Sequence, residues 1–285
     1  MAASRRFVAT KTLKEIDRPS EMRFVAALGT SSLEEAARVL ALAESRGVVL
    51  RLLGGVAIYL RCPSARSSSL ARGYGDIDFV GHVKQSAEIK RLFGEAGYVQ
   101  RERFNAMHGG RRLVFMDSGQ RRKVDLFLDV FEMCHKFNLK ERMEIDPQTI
   151  PLADLLATKL QIIETNEKDI GDEISLLLDH EIGGTDLRDA INSEHLARLC
   201  AEDWGIYKTF IMKLAVLAVA VEKWDLKEPE RELVLKRVER LRGAIERAPK
   251  SLGWKLRAVI GERVRWFELP EEDVSPVEQV RVRES

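Results

Sequence analysis

The chain has 285 residues, with 46 Lys plus Arg against 45 Asp plus Glu and 45% hydrophobic content, a balance that suits a folded protein of one large or two modest domains and excludes a disordered or fibrous chain. Its most apolar run, 214–221 (LAVLAVAV), is far shorter than the roughly 20 residues of a bilayer span. The N-terminus has no apolar core for a signal peptide, and Cys62, Cys134 and Cys200 are too scattered for a disulfide framework or a zinc cluster, so a reducing cytoplasm is expected.

In chain order, Ser31 to Arg46 predicts a helix, with Ser32 as cap and Leu33, Ala37, Val39, Leu40 and Ala43 at helical spacing; Gly47 stops it. Val48 to Leu53 reads as a buried strand that ends at Gly54-Gly55, and Val56 to Leu60 as a short helix. The Ser-, Arg- and Gly-rich stretch Cys62 to Gly75 is a loop, and Asp76 to Val80 a second strand. A helix over Lys84 to Ala96 and strands over Tyr98 to Arg103, Arg112 to Asp117 and Arg122 to Asp129 complete a small mixed sheet with helices packed on it. From Leu152 the pattern turns helical, over 152–165, 169–180, 186–201, 205–224 and 229–247, and the tail from Pro270 is polar.

The chemistry concentrates in Asp76-Ile77-Asp78 and Lys123-Val124-Asp125. Residues two apart on a strand share a face, so Asp76 and Asp78 present two carboxylates side by side while Ile77 enters the core. Adjacent anions repel unless one is protonated or a cation lies between them, and Asp125, embedded in the apolar strand VDLFLDVF, also wants a cation. If the strands are neighbours, the three carboxylates make a hard oxygen site suited to Mg²⁺ or Mn²⁺. Gly54 and Gly55 end a strand and open a helix, where bare amides favour a phosphate; a plain tight turn reads the same way. Lys159 falls on the apolar stripe of Leu152, Leu155, Leu156 and Ile163, so its amine either snorkels to solvent or meets a carboxylate or phosphate.

The order of strand, Gly-Gly, helix, loop, Asp-x-Asp strand and later Asp strand, over residues 48–180, resembles the nucleotidyltransferase superfamily with the polymerase β-like fold, and within it the AbiEii-type toxin family. The resemblance implies an α/β fold: a minimal nucleotidyltransferase mixed sheet with flanking helices, followed by an all-helical C-terminal domain. It divides the chain into an extension over 1–30, a core over 31–145, a helical domain over 146–250 and a C-terminal segment with a loose tail over 251–285. It further implies transfer of an NMP from an NTP to an acceptor with release of pyrophosphate. Asp76, Asp78 and Asp125 would be the metal-binding and catalytic carboxylates, Gly54, Gly55, Arg72 and Lys159 would meet the nucleotide, and Lys168, Asp169 and Asp172 would stand behind them. Tyr74 stands where the family often has Ser or Thr, and Lys168 where Arg is usual. A cognate antitoxin protein is the partner such a family implies.

Charge is segregated along the chain: residues 141–186 hold 12 acids and 3 bases, 231–265 hold 11 bases and 4 acids, and 99–123 hold 7 bases and 2 acids. If the two basic blocks, with Arg240, Arg242, Arg247, Lys250, Lys255, Arg257 and Trp254, rim the cleft of the aspartates, they form a track for an RNA acceptor, tRNA included. If they pair with the acidic block, that surface does not exist, and a small molecule or a protein is the acceptor. A non-catalytic binding module is the reading from a different class. His108 reads as an incidental turn residue, Cys134 and His135 point apart on an extended strand, Asp129 lies along the strand of Asp125, and Trp204, Trp224, Trp254 and Trp266 read as packing anchors.

Overall fold

The computed structural model describes residues 21–66, 69–117 and 122–269, with side chains from residue 32 onward. Helix α1 (Glu21–Ser45) starts well before the predicted cap, Ser32, and buries Ala36, Val39 and Ala43, leaving Ala37 exposed. Gly47, at φ +65°, turns the chain into β1 (Leu50–Leu53), and Gly54, at φ +67°, turns it again into α2 (Gly54–Arg61). After a short 3₁₀ turn come β2 (Ile77–Gly81), α3 (Ser86–Glu95) and β3 (Tyr98–Gln100). The predicted strand over Tyr98 to Arg103 is therefore cut short: α4 (Glu102–His108) begins at once, because the Asn105 amide takes both backbone groups of Val114 and anchors the helix there.

Strands β4 (Arg112–Asp117) and β5 (Lys123–Leu128) complete the path β1-β2-β5-β4-β3, in which β2 and β5 run parallel and the other pairs antiparallel. Two short strands absent from the sequence reading, β6 (Val130–Glu132) and β7 (Lys136–Asn138), branch from β5. Alternation along the central strands sends Ile77, Phe79, Leu113, Phe115, Val124 and Leu126 into one core, where Phe93 of α3 stacks on Phe115 at 4.5 Å. The opposite face carries Asp78, Asp125, Arg112 and Phe127.

Beyond the sheet come α5 (Leu152–Leu160), α6 (Glu167–Asp179), α7 (Ser193–Glu202), α8 (Trp204–Lys223), α9 (Glu228–Arg247) and α10 (Leu252–Ile260). Asn166, Asn192, Asp203 and Ser251 each cap a helix by accepting a backbone N–H. Two expectations change. The helix over 152–165 ends at Leu160, and the one over 186–201 starts only at Ser193, since β8 (Glu181–Gly183) and β9 (Ala190–Asn192) form a small parallel ladder before it. Helix α8 extends the apolar run to 20 residues, long and apolar enough by length and composition to cross a membrane; half of that stretch is buried inside the protein. The polar tail from Pro270 lies outside the described residues.

Candidate active site

The sheet brings the three aspartates to one edge. Asp78 and Asp125 are register partners across the parallel β2–β5 pair, and Leu53, the last residue before the Gly-Gly turn, pairs with Asp78 from the other side. Asp76, just before β2, is exposed, Asp78 half-buried and Asp125 buried. Among the described residues neither Asp76 nor Asp78 has a hydrogen bond or ion pair to its carboxylate. Burial, with Asp125 adding to it, pushes the Asp78 carboxyl up to about 7, while the charge of Lys159 works against the shift.

Asp125 is in a different state. Arg112, its near neighbour on β4, donates through Nε (2.9 Å) and approaches with Nη2 (2.7 Å) at Oδ1, and Lys123 reaches Oδ2 at 3.0 Å. Both oxygens are thus occupied. Among the described residues no group of three His, Cys, Asp or Glu side chains is gathered closely enough to hold a metal as it stands. The donor set nevertheless fits a hard divalent cation: Asp78 and Asp125 face one another in register and Asp76 adjoins them, three oxygen donors from one end of the β2–β5 pair.

The Gly-Gly turn is shaped by these side chains. A β-carbon on Gly54 would collide with the Asp78 carboxylate, and one on Gly55 with the Arg72 guanidinium and the Tyr74 ring. Asp78 therefore lies directly against the backbone of the turn, which only glycine permits at that φ. Arg72 stacks over Tyr74 at 3.8 Å and forms a two-pronged bond to Asp172, Nε to Oδ1 at 2.9 Å and Nη2 to Oδ2 at 2.6 Å. Tyr74, buried with an unpartnered hydroxyl, takes the place that a smaller Ser or Thr would leave open.

Lys159 meets Asp169 at 3.1 Å and Asp172 at 2.8 Å, so of its expected partners the described structure supplies the carboxylates. Burial lowers its pKa and these two acids more than restore it, leaving it raised. Behind them Glu173, fully buried, faces Lys213 at 3.7 Å; burial pushes Glu173 up to about 7 and holds Lys213 below its usual range. Lys168 is exposed on α6, with its charge reaching Asp76.

Sequence reasoning passed over Arg112, whose cross-strand reach to Asp125 depends on the β4–β5 register; its place in a basic run beside alternating apolar residues was the available signal. His108 is on α4 and stacks on Phe104 at 4.7 Å, not in a turn. Asp129 leaves the strand at φ 58° and pairs with His82 at 3.1 Å, so it does not continue the face of Asp125. His135 hydrogen-bonds Thr209, and Trp204 packs edge-on to Trp266. Cys62 and Cys200 are buried with their thiols pushed up by desolvation.

The basic block 231–265 is spent largely on its own neighbourhood. Arg242 pairs with Glu246, Lys250 donates to the carbonyls of Ile245, Glu246 and Ala248 at the end of α9, and Arg257 to those of Gly261 and Val264. The acidic block is internal as well, through Arg61 with Asp146, Arg142 with Asp154 and Asp186, and the Lys159 set.

No protein-family model matches the chain, and no curated protein matches it. Among solved structures it is similar to the antibiotic-resistance factor ANT(2'')-Ia, whose structure was determined in solution, at 13% identity and a TM-score of 0.36 over 52% of this chain and 83% of that one. A likeness of that size assigns no residue a role.

Proposed function

We propose that the protein is a nucleotidyltransferase that moves an NMP from an NTP to an acceptor hydroxyl, with Asp76, Asp78 and Asp125 as its metal-binding carboxylates. The supporting observation is the register: Asp78 opposite Asp125, with Asp76 beside them, at the edge where the Gly-Gly turn opens α2. A bound Mg²⁺ or Mn²⁺ supplies charge neutralisation at the transferring phosphoryl group. Asp125, buried on β5 opposite Asp78, is the carboxylate this reading assigns to accept the proton of the attacking hydroxyl. The amides at Gly54 and Gly55 offer donors to the triphosphate at a helix N-terminus. Arg72 and Lys159 lie behind that turn with their charges engaged by Asp169 and Asp172, so in this reading they set its shape and field. Lys168 is exposed, and its charge reaches Asp76.

For the acceptor we favour RNA, tRNA included. The support is block 99–123, where Arg103 and Arg111 are exposed near the rings of Phe104 and His108, with Arg111 also paired to Glu132. Block 231–265 lends less, because Arg231 and Arg242 are paired with Glu228 and Glu246 and Arg237, Lys250 and Arg257 are held by backbone carbonyls. A toxin-like role with an antitoxin partner rests on the likeness of the motifs. Purified protein incubated with each α-labelled NTP, Mg²⁺, total RNA and cell extract tests the proposal: label is expected in RNA. Label in a small molecule or a protein would replace the acceptor, and no label anywhere would favour a non-catalytic module. RNA affinity is expected to fall by orders of magnitude between ~50 and ~200 mM salt.

A further inference from the structure

The three carboxylates that would share a cation are not equally available. Among the described residues Asp78 has no ion pair, although the charges of Lys159 and Arg112 reach it, whereas both oxygens of Asp125 are engaged, Oδ1 by Arg112 and Oδ2 by Lys123. The buried Asp125 carboxylate needs this compensation: without it, the charge would sit uncompensated in a poorly solvated place. A divalent cation supplies the same compensation and repels both side chains. It therefore competes with them for the charge of Asp125.

We infer that Arg112 and Lys123 form a cation clamp that closes Asp125 until a divalent metal displaces it, so that metal loading and the release of Arg112 are one event. The inference rests on the reading of Asp76, Asp78 and Asp125 as the metal ligands. Lys123 lies two residues before Asp125 on the same face of β5, and its charge also reaches Asp76, so it bridges two of the three carboxylates as a metal would.

Arg112 has somewhere to go. Its guanidinium already lies 5.5 Å from the centre of the Phe104 ring and 5.2 Å from that of Phe127. Both rings line a cleft of about 470 Å³, together with Met107, His108 and Met133. Release gives up the carboxylate contact and keeps the ring contacts already present, which hold the cation at the cleft. The freed guanidinium then faces the cleft as a planar fork, the geometry that recognises a phosphate of an incoming acceptor. An empty metal site would in this way keep the acceptor's anion site closed.

The test uses the full chain without nucleotide and Mn²⁺ alone as probe, with free Mn²⁺ followed by electron paramagnetic resonance. Lys123→Met and Arg112→Met are each expected to bind Mn²⁺ roughly tenfold more tightly than the parent, the scale of removing one nearby positive charge. Asp125→Asn is expected to bind it more weakly. In the parent, the Arg112 Nε–H is expected to lose protection from solvent exchange when Mg²⁺ saturates the site, a change that a purely structural pair would not undergo. If Asp125→Asn weakens Mn²⁺ binding but neither cation variant tightens it, the clamp is wrong and the metal reading survives. If Asp125→Asn leaves Mn²⁺ binding unchanged, the metal reading fails and the clamp falls with it. Should Arg112→Met not fold, Lys123→Met carries the measurement, since its side chain is partly exposed.

Discussion

Two clusters of three carboxylates lie in this protein, and they are balanced in different ways. Asp169, Asp172 and Glu173 on α6 face three cations, Lys159, Arg72 and Lys213, inside the fold. Asp76, Asp78 and Asp125 at the sheet edge have two ion-paired cations among the described residues, both on Asp125, while Lys168 and Lys159 act on Asp76 and Asp78 only at longer range. The first set has spent its charge on holding the helices against the Gly-Gly turn. The second keeps an excess that folding has not neutralised, which is what a site for a cationic ligand requires and a structural network avoids.

Substitution at the sheet edge should give the largest effect and is the direct way to break this contrast. Asp78→Asn is expected to reduce transfer by ~10³-fold or more, the scale of losing one preorganised electrostatic element, while the melting temperature of the metal-free protein stays level or rises. Full activity in the variant, assayed with labelled NTP, would dismiss the edge cluster as a site. On α6 the signs reverse. Asp172→Asn leaves Arg72 and Lys159 short of a buried partner and is expected to cost about 3–5 kcal/mol in urea denaturation; unchanged stability would erase the distinction between the clusters.

Glu173 sharpens the contrast through pH. Its folded pKa, about 7, lies above its ordinary 4.5, so folding favours the protonated form. Its contribution is complete below about pH 4.5 and is lost as pH rises through 7, an amount on the order of 3 kcal/mol. Glu173→Gln should remove that decline from the stability–pH curve; a curve of unchanged shape would mean the carboxylate is ionised throughout. The smallest effect is expected at the turn, where Gly54→Ala forces a positive φ on alanine and pushes against Asp78, costing about 1–3 kcal/mol by thermal melting. No loss there would mean that the turn relaxes freely and does not position Asp78.

Much of the sheet was legible because strands announce themselves by alternation. Ile77 between Asp76 and Asp78, and Val124 before Asp125, each mark which side faces the core, so the carboxylates could be assigned to one face before any contact was known. Helix α4 was not legible: ERFNAMH is short, and it is held by the Asn105 bonds to Val114, a long-range anchor that local propensity does not report. The same holds for β8 and β9, three residues each, which exist by pairing with one another.

The amino-acid sequence by itself determined the list of charged groups, their spacing along strands and helices, and the two glycines that let the chain turn beside Asp78. It marked Lys159 as a lysine on an apolar stripe that either snorkels to solvent or meets an anion. Only the tertiary structure decided which anion, by bringing Asp169 and Asp172 within 3.1 Å and 2.8 Å, and only the β4–β5 register set Arg112 on Asp125. Spacing along one element is fixed by backbone geometry and can be read from sequence, whereas partners across elements depend on register and packing, which the whole fold sets together.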